Sequence, residues 1–159
     1  MKITLKDGSV KEYGQSMSVI DIAKDISEGL ARVACAGEIN GEVVDLRTIV
    51  EDDCELSILT FDSEGGRHAF RHTASHILAQ AVKRLYPETK LAIGPSIDNG
   101  LYYAMEKDTP FTQDDLEKIE AEMKKIVKEN LEITCFTKPR EEAIAFMKER
   151  KEPYKVELI

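Results

Sequence analysis

All three histidines of the chain, His68, His72 and His76, fall within one short stretch, RHAFRHTASHILAQAVKRLYP from Arg67 to Pro87. Imidazole is the side chain whose ordinary pKa lies nearest neutrality, so it can accept, relay or donate a proton, or ligate a metal. A spacing of four sets successive residues about 40° apart around a helix, so the three form one stripe. That stripe rises about 12 Å from His68 to His76, too far for one ion to be held by all three. His72 and His76 alone can aim two rings at one point, which is half of a hydrolytic or metal site. No Glu stands between them in the H-E-x-x-H order of a zinc protease, and Cys135 is the only cysteine beyond them. The residues by themselves leave open a proton-transfer site, a metal half-site, or ordinary boundary histidines.

The pair must be held by the helix that carries it. Phe70, Ala74, Ile77, Ala81 and Leu85 recur at helical spacing and mark a buried face, and Pro87 ends the run. His72 and His76 fall beside that face, at the edge of a cleft. Downstream, Leu91–Ile93 and Leu101–Met105 read as strands joined by the turn-rich loop GPSIDNG, residues 94–100. Thr112 caps a long helix to about Asn130, with Leu116, Ile119, Met123, Ile126 and Val127 inward. Glu132–Thr137 reads as a strand, Pro139 opens a further helix that buries Ala143, Ile144 and Met147, and Tyr154–Ile159 alternates as a final strand.

The first 60 residues have a different grammar. Ile3 and Leu5 alternate into an Asp7-Gly8 turn, and Val10 to Tyr13 pair back. Ser18 caps a helix with Val19, Ile20, Ile22, Ala23 and Ile26 on one face, and Gly29 is its expected stop. A strand over Val33–Ile39 turns at Asn40-Gly41 into Glu42–Leu46, and Glu55–Thr60 closes the set after Asp52-Asp53. This order is that of a small β-grasp, ubiquitin-like domain, with no histidine and no clustered nucleophile. Residues 1–61 are therefore the first domain, FDSEGG supplies a linker at 62–66, and 67–159 form a second α+β domain.

Composition narrows the classes. The 159 residues are 42% apolar and 33% charged, and no apolar run approaches the roughly 18 residues of a membrane span. No apolar signal core opens the sequence, so a cytoplasmic protein is expected. Cys35, Cys54 and Cys135 form no C-x-x-C pair and read as free buried thiols. The net charge of −8 is concentrated early: residues 1–62 carry 6 basic against 13 acidic side chains. A general grip on nucleic acid, which needs a basic surface, is disfavoured.

Several blocks together resemble a known family. RHTASHILAQAVK, KLAIGPSIDNGLYY and EPYKV, with ITLKDGS, DIA and INGEVVDL before them, resemble the N-terminal region of bacterial-type threonyl-tRNA synthetases. The resemblance covers essentially the whole chain in order. It implies a TGS domain of β-grasp fold, followed by the first part of an editing domain that hydrolyses serine wrongly joined to threonine tRNA. It implies catalytic roles for His72, His76 and Lys155, with Asp98 and Tyr103 as weaker, substrate-binding candidates. The histidines would orient or activate water and hold the tRNA 3′ end, and Lys155 would hold charge near the ester; His68 is left as surface. It implies no metal in this region. ATP, Mg and Zn are implied only for a separate catalytic domain, which ligates threonine to its tRNA, and homodimerisation is expected through such further domains.

The family also adds a later Cys-x-x-x-His element, and no histidine follows His76 here, so the pocket reads as half built. Ending on an apolar strand, the chain reads as a piece of a longer protein, and weak or no activity is expected of the 159 residues alone. Two other classes stay open: a TGS-containing module that binds RNA or a partner without catalysis, and a metal-dependent hydrolase.

Overall fold

The computed structural model describes all of Met1–Ile159. The chain divides into two compact units, Met1–Phe70 and Arg71–Ile159.

The first unit is built on a five-stranded mixed sheet. Strand β1 (Lys2–Leu5) pairs antiparallel with β2 (Val10–Glu12), with Thr4 opposite Val10. Gly8 at φ 82° closes the hairpin in the left-handed region, where glycine carries no Cβ penalty. A two-residue β3 (Met17–Ser18) leads into α1 (Val19–Ile26). The Ser18 hydroxyl caps that helix by accepting from the Asp21 amide at 3.2 Å. Next come α2 (Glu28–Val33), β4 (Ala34–Ile39), β5 (Glu42–Val44), β6 (Ile49–Val50) and β7 (Cys54–Thr60). The sheet order is β2-β1-β7-β4-β5, with β7 running parallel to β1 and antiparallel to β4. Ile3, Val19, Ile22, Val50 and Leu56 fill the core beneath the sheet.

Two details of this unit differ from the sequence reading. Gly29 does not stop the first helix. Ser27, extended at φ −169° and ψ 133°, ends α1 and caps α2, its hydroxyl accepting from Gly29 and Leu30 amides. The thiols are free, but none is fully buried, and Cys135 in the second unit is exposed.

Helix α3 (Glu64–Leu85) starts inside the segment read as a linker. The Ser63 hydroxyl accepts from the Gly66 amide at 3.1 Å, and the Arg67 amide reaches the Ser63 carbonyl at 2.9 Å. That serine cap gives the first turn its missing partners, so the two glycines enter the helix instead of hinging it. The boundary between the units falls within α3, between Phe70 and Arg71.

The second unit holds the rest of α3, then β8 (Lys90–Leu91), β9 (Ser96–Ile97), β10 (Gly100–Leu101), β11 (Met105–Glu106), α4 (Gln113–Glu129), α5 (Arg140–Glu149) and α6 (Pro153–Leu158). Strand β8 pairs with β11 and β9 with β10, both antiparallel. Helices α3 and α4 meet through Ala81, Val82, Ile119 and Ile126, with Ile77, Leu78, Leu85, Tyr86 and Met123 around them. A reciprocal capping box, Thr112 with Asp115, starts α4, and Asn130 in the left-handed conformation ends it.

Several expectations are corrected here. Glu132–Thr137 forms no strand. Its alternation finds no neighbouring backbone to pair with, and all six residues are exposed. Tyr154–Ile159 is helical through Leu158, because Pro153 presets the first turn and the Glu152 carbonyl accepts from Lys155 and Val156 amides at 3.1 and 3.2 Å. Leu101–Met105 is split between β10 and β11. Phe70, Leu116 and Val127, expected inward, are exposed.

Candidate functional site

The histidine pair closes on itself. The Nε2 atoms of His72 and His76 lie 3.1 Å apart, with ring centroids at 4.7 Å and planes at 88°. At that distance one Nε2 must carry the proton and the other must accept it, so the pair shares one hydrogen between two rings. Helix α3 sets this geometry, since i and i+4 rings overlap on one face. Behind the pair, the fully buried Ser75 donates its hydroxyl to the His72 carbonyl at 2.7 Å.

Lys155 stands on α6, within electrostatic reach of His76. Its Nζ donates to the Ala92 carbonyl at 2.8 Å and sits 5.8 Å from the centre of the Tyr103 ring. The His76 pKa lies below the ordinary histidine value, first because protein atoms desolvate the ring, then because His72 and the Lys155 cation oppose a further charge. His76 is thus biased toward the neutral form, which can accept a proton from a nucleophile near pH 7. His76 as a whole residue is nonetheless exposed.

Tyr103 is seated on Gly94. A Cβ built at Gly94 would stand 2.2, 2.4 and 2.9 Å from three carbons of the Tyr103 ring. The backbone of the loop is held by bonds from the Ala92 amide to the Ala104 carbonyl (3.0 Å) and from the Ala104 amide to the Ile93 carbonyl (2.8 Å). Arg71, one residue before His72, directs Nη1 to the carbonyls of Ile97 and Asp98 and so ties the 96–100 hairpin to α3.

Of the residues singled out from the sequence, His72 pairs with His76, Lys155 lies over the Tyr103 ring, and the Lys155 charge reaches His76. Lys155 does so from a helix, not from a strand. Asp98 enters through its carbonyl, and its residue is exposed. His68 is exposed within the first unit. Sequence reasoning missed Gly94 and Arg71. The Gly-Pro step marked a turn, but nothing in the sequence said that an aromatic ring would occupy the space a side chain would take. No group of three or more His, Cys, Asp or Glu is arranged to hold a metal ion.

A mixed sheet of this order with a helix across it is a β-grasp, and residues 1–60 match the family model of the TGS domain. Residues 1–60 of the first unit form a TGS domain. Over all 159 residues the chain is 65% identical to a threonine-tRNA ligase of Acetivibrio thermocellus, covering 25% of that protein. It is 62% identical to a threonine-tRNA ligase of Clostridium perfringens, covering 24%, and 58% identical to one of Clostridioides difficile, covering 25%. The chain is thus similar throughout to the N-terminal region of threonine-tRNA ligases and spans about a quarter of their length.

Proposed function

We propose that this chain is the TGS and editing region of a threonine-tRNA ligase. Its whole protein joins threonine to its tRNA using ATP, and residues 67–159 form the first part of a site that hydrolyses Ser-tRNA(Thr). The observation that carries the editing role is the Nε2-to-Nε2 contact of His72 and His76, with the Lys155 charge on α6 acting on His76. The 57–65% identity to ligases of this name supports the identity of the whole.

The chemistry accounts for such a site. Serine lacks one methyl group of threonine, which binding alone discriminates by about 1–3 kcal/mol. A second site that accepts the smaller aminoacyl group and cleaves it supplies the rest. Cleavage needs a water aimed at the ester carbonyl and a route for its proton. A neutral histidine of the pair takes the proton from water as the water oxygen bonds to the carbonyl carbon, and the second ring, bonded to it through Nε2, shares the charge. The proton then passes to the ribose oxygen as the ester bond breaks. The Lys155 ammonium holds negative charge building at the ester or at the adjacent ribose and phosphate oxygens. Tyr103 walls the site beside Lys155. Partners on this reading are the 3′ end of threonine tRNA and, through further domains, a second copy of the whole protein. No helix is long and apolar enough to cross a membrane, and a cytoplasmic location follows from the role in translation.

The test is serine mischarging by the protein made from its whole reading frame, with ATP, serine and tRNA(Thr). The parent protein accumulates little Ser-tRNA(Thr), and His76→Ala accumulates it while threonine charging stays intact. Equal serine accumulation by the two proteins would remove the editing assignment.

A further inference from the structure

Helix α3 carries a fourth residue on the histidine stripe. Lys83 follows His76 by seven residues and His72 by eleven, which places it within about 20° of each around the helix. Its ammonium is fully engaged. It donates to the carbonyls of Pro87 (2.8 Å) and Thr89 (3.0 Å) and pairs with the Glu152 carboxylate at 2.8 Å.

Glu152 is buried, at 8% exposure, which is unusual for a carboxylate unless a cation meets it. Its second oxygen accepts from the Leu91 amide at 3.3 Å. Its own amide donates to the Met147 carbonyl at 3.1 Å, at the end of α5. Its carbonyl accepts the amides of Lys155 and Val156, so it forms the base of α6. Three residues later, Lys155 bonds to the Ala92 carbonyl, the neighbour of the amide that Glu152 takes. Glu152 and Lys155 thus grip consecutive residues of the same backbone from one short helix.

We propose that Glu152, neutralised by Lys83, is the positioning residue that sets Lys155 against the His72–His76 pair. The arrangement ties α6 to the helix that bears the histidines through one ion pair. Pairing and burial fix Glu152, the turn from Glu152 to Lys155 fixes the root of the lysine, and Ala92 fixes its head. A six-residue helix has little stability of its own, so its place depends on such anchors. No anchor was visible in the sequence, where Glu152 is one of thirty acidic residues. The proposal rests on the reading of this unit as an ester-hydrolysing site only for its consequence in turnover; the placement itself is measured without substrate.

The experiment has two arms. In the 159-residue chain, NMR follows the Lys155 ε-methylene, which feels the Tyr103 ring, and the pH titration of His76. Glu152→Gln moves the Lys155 resonance toward that of an exposed lysine and raises the His76 midpoint. Lys83→Gln does the same while leaving the carboxylate in place, so the result does not hang on one variant. In the protein made from the whole reading frame, Glu152→Gln lowers kcat for Ser-tRNA(Thr) deacylation about tenfold with KM within about twofold, as a misplaced group does. In a Lys155→Met background the same change adds no further loss. Unchanged Lys155 and His76 signals in both variants, or fully additive losses in the double variant, would overturn the proposal. If Lys155→Met and His76→Ala leave deacylation intact, the editing reading fails, while the NMR arm still decides whether Glu152 places Lys155.

Discussion

Substituting Gly94 by Ala puts a methyl group where the Tyr103 ring now lies. The added Cβ would stand 2.2 Å from the nearest ring carbon, whereas ordinary contact begins at 3.4 Å, so the ring must retreat by about 1.2 Å. Gly94 is not in the left-handed region, so the backbone accepts alanine and the whole effect is steric. Overpacking of this kind costs about 1–3 kcal/mol. For a unit of this size each kcal/mol is worth about 4–8 °C in melting temperature, so a fall of at least about 4 °C is expected by calorimetry or circular dichroism. The decisive control is Tyr103→Ala. In that background Gly94→Ala costs nothing further, because the ring it would strike is gone. A Gly94→Ala variant that melts with the parent chain, or a penalty that persists without the ring, would refute the close approach on which this wall of the site depends.

Other outcomes follow from the same geometry. Gly66→Ala places a Cβ 1.9 Å from the Thr60 carbonyl oxygen, a backbone atom that cannot swing aside, so a loss of about 3 kcal/mol is expected in denaturant unfolding. A flexible glycine linker would tolerate that change, and an unchanged midpoint would restore it. His76 has a depressed pKa when folded, so the folded chain binds fewer protons than the unfolded chain as pH falls through the ordinary histidine range near 6.5. Stability is therefore greatest above that range and declines below it. His76→Gln flattens the decline between about pH 7 and 5 in thermal melts, and identical pH profiles for the two chains would contradict the shift. Thr112→Ala removes the hydroxyl that accepts the Asp115 amide at 3.2 Å and costs about 1 kcal/mol by the same melts. A Thr112→Ser variant should recover most of it.

The first unit was legible because local signals agree with the global fold. Alternation, the Asn40-Gly41 turn with φ of 50° and 86°, and the Ser18 cap each specify one conformation, and the sheet uses all of them. The same held for α4, whose Thr112 and Asn130 ends are written in the sequence. Reading failed where a partner decides the structure. Glu132–Thr137 alternates like a strand but has no backbone to pair with. Tyr-Lys-Val-Glu-Leu fits either period over so short a run, and Pro153 with the buried Glu152 tips it to a helix. In α3 the buried positions include Ser75 and Ala79, a polar and a small side chain that carry little apolar signal, beside Ala81 and Val82. The histidine pair could be read from spacing alone. The arrival of Lys155 beside it could be read only from resemblance, since 79 residues separate it from His76.

The central claim is that His72 and His76 serve the cleavage of an aminoacyl ester. The most direct measurement is single-turnover hydrolysis of preformed Ser-tRNA(Thr) by the protein made from the whole reading frame, with His72→Ala and His76→Ala beside it. Loss of a positioned proton acceptor should slow cleavage about 100-fold or more in at least one variant, with tRNA binding retained. Hydrolysis at the parent rate in both variants would contradict the account.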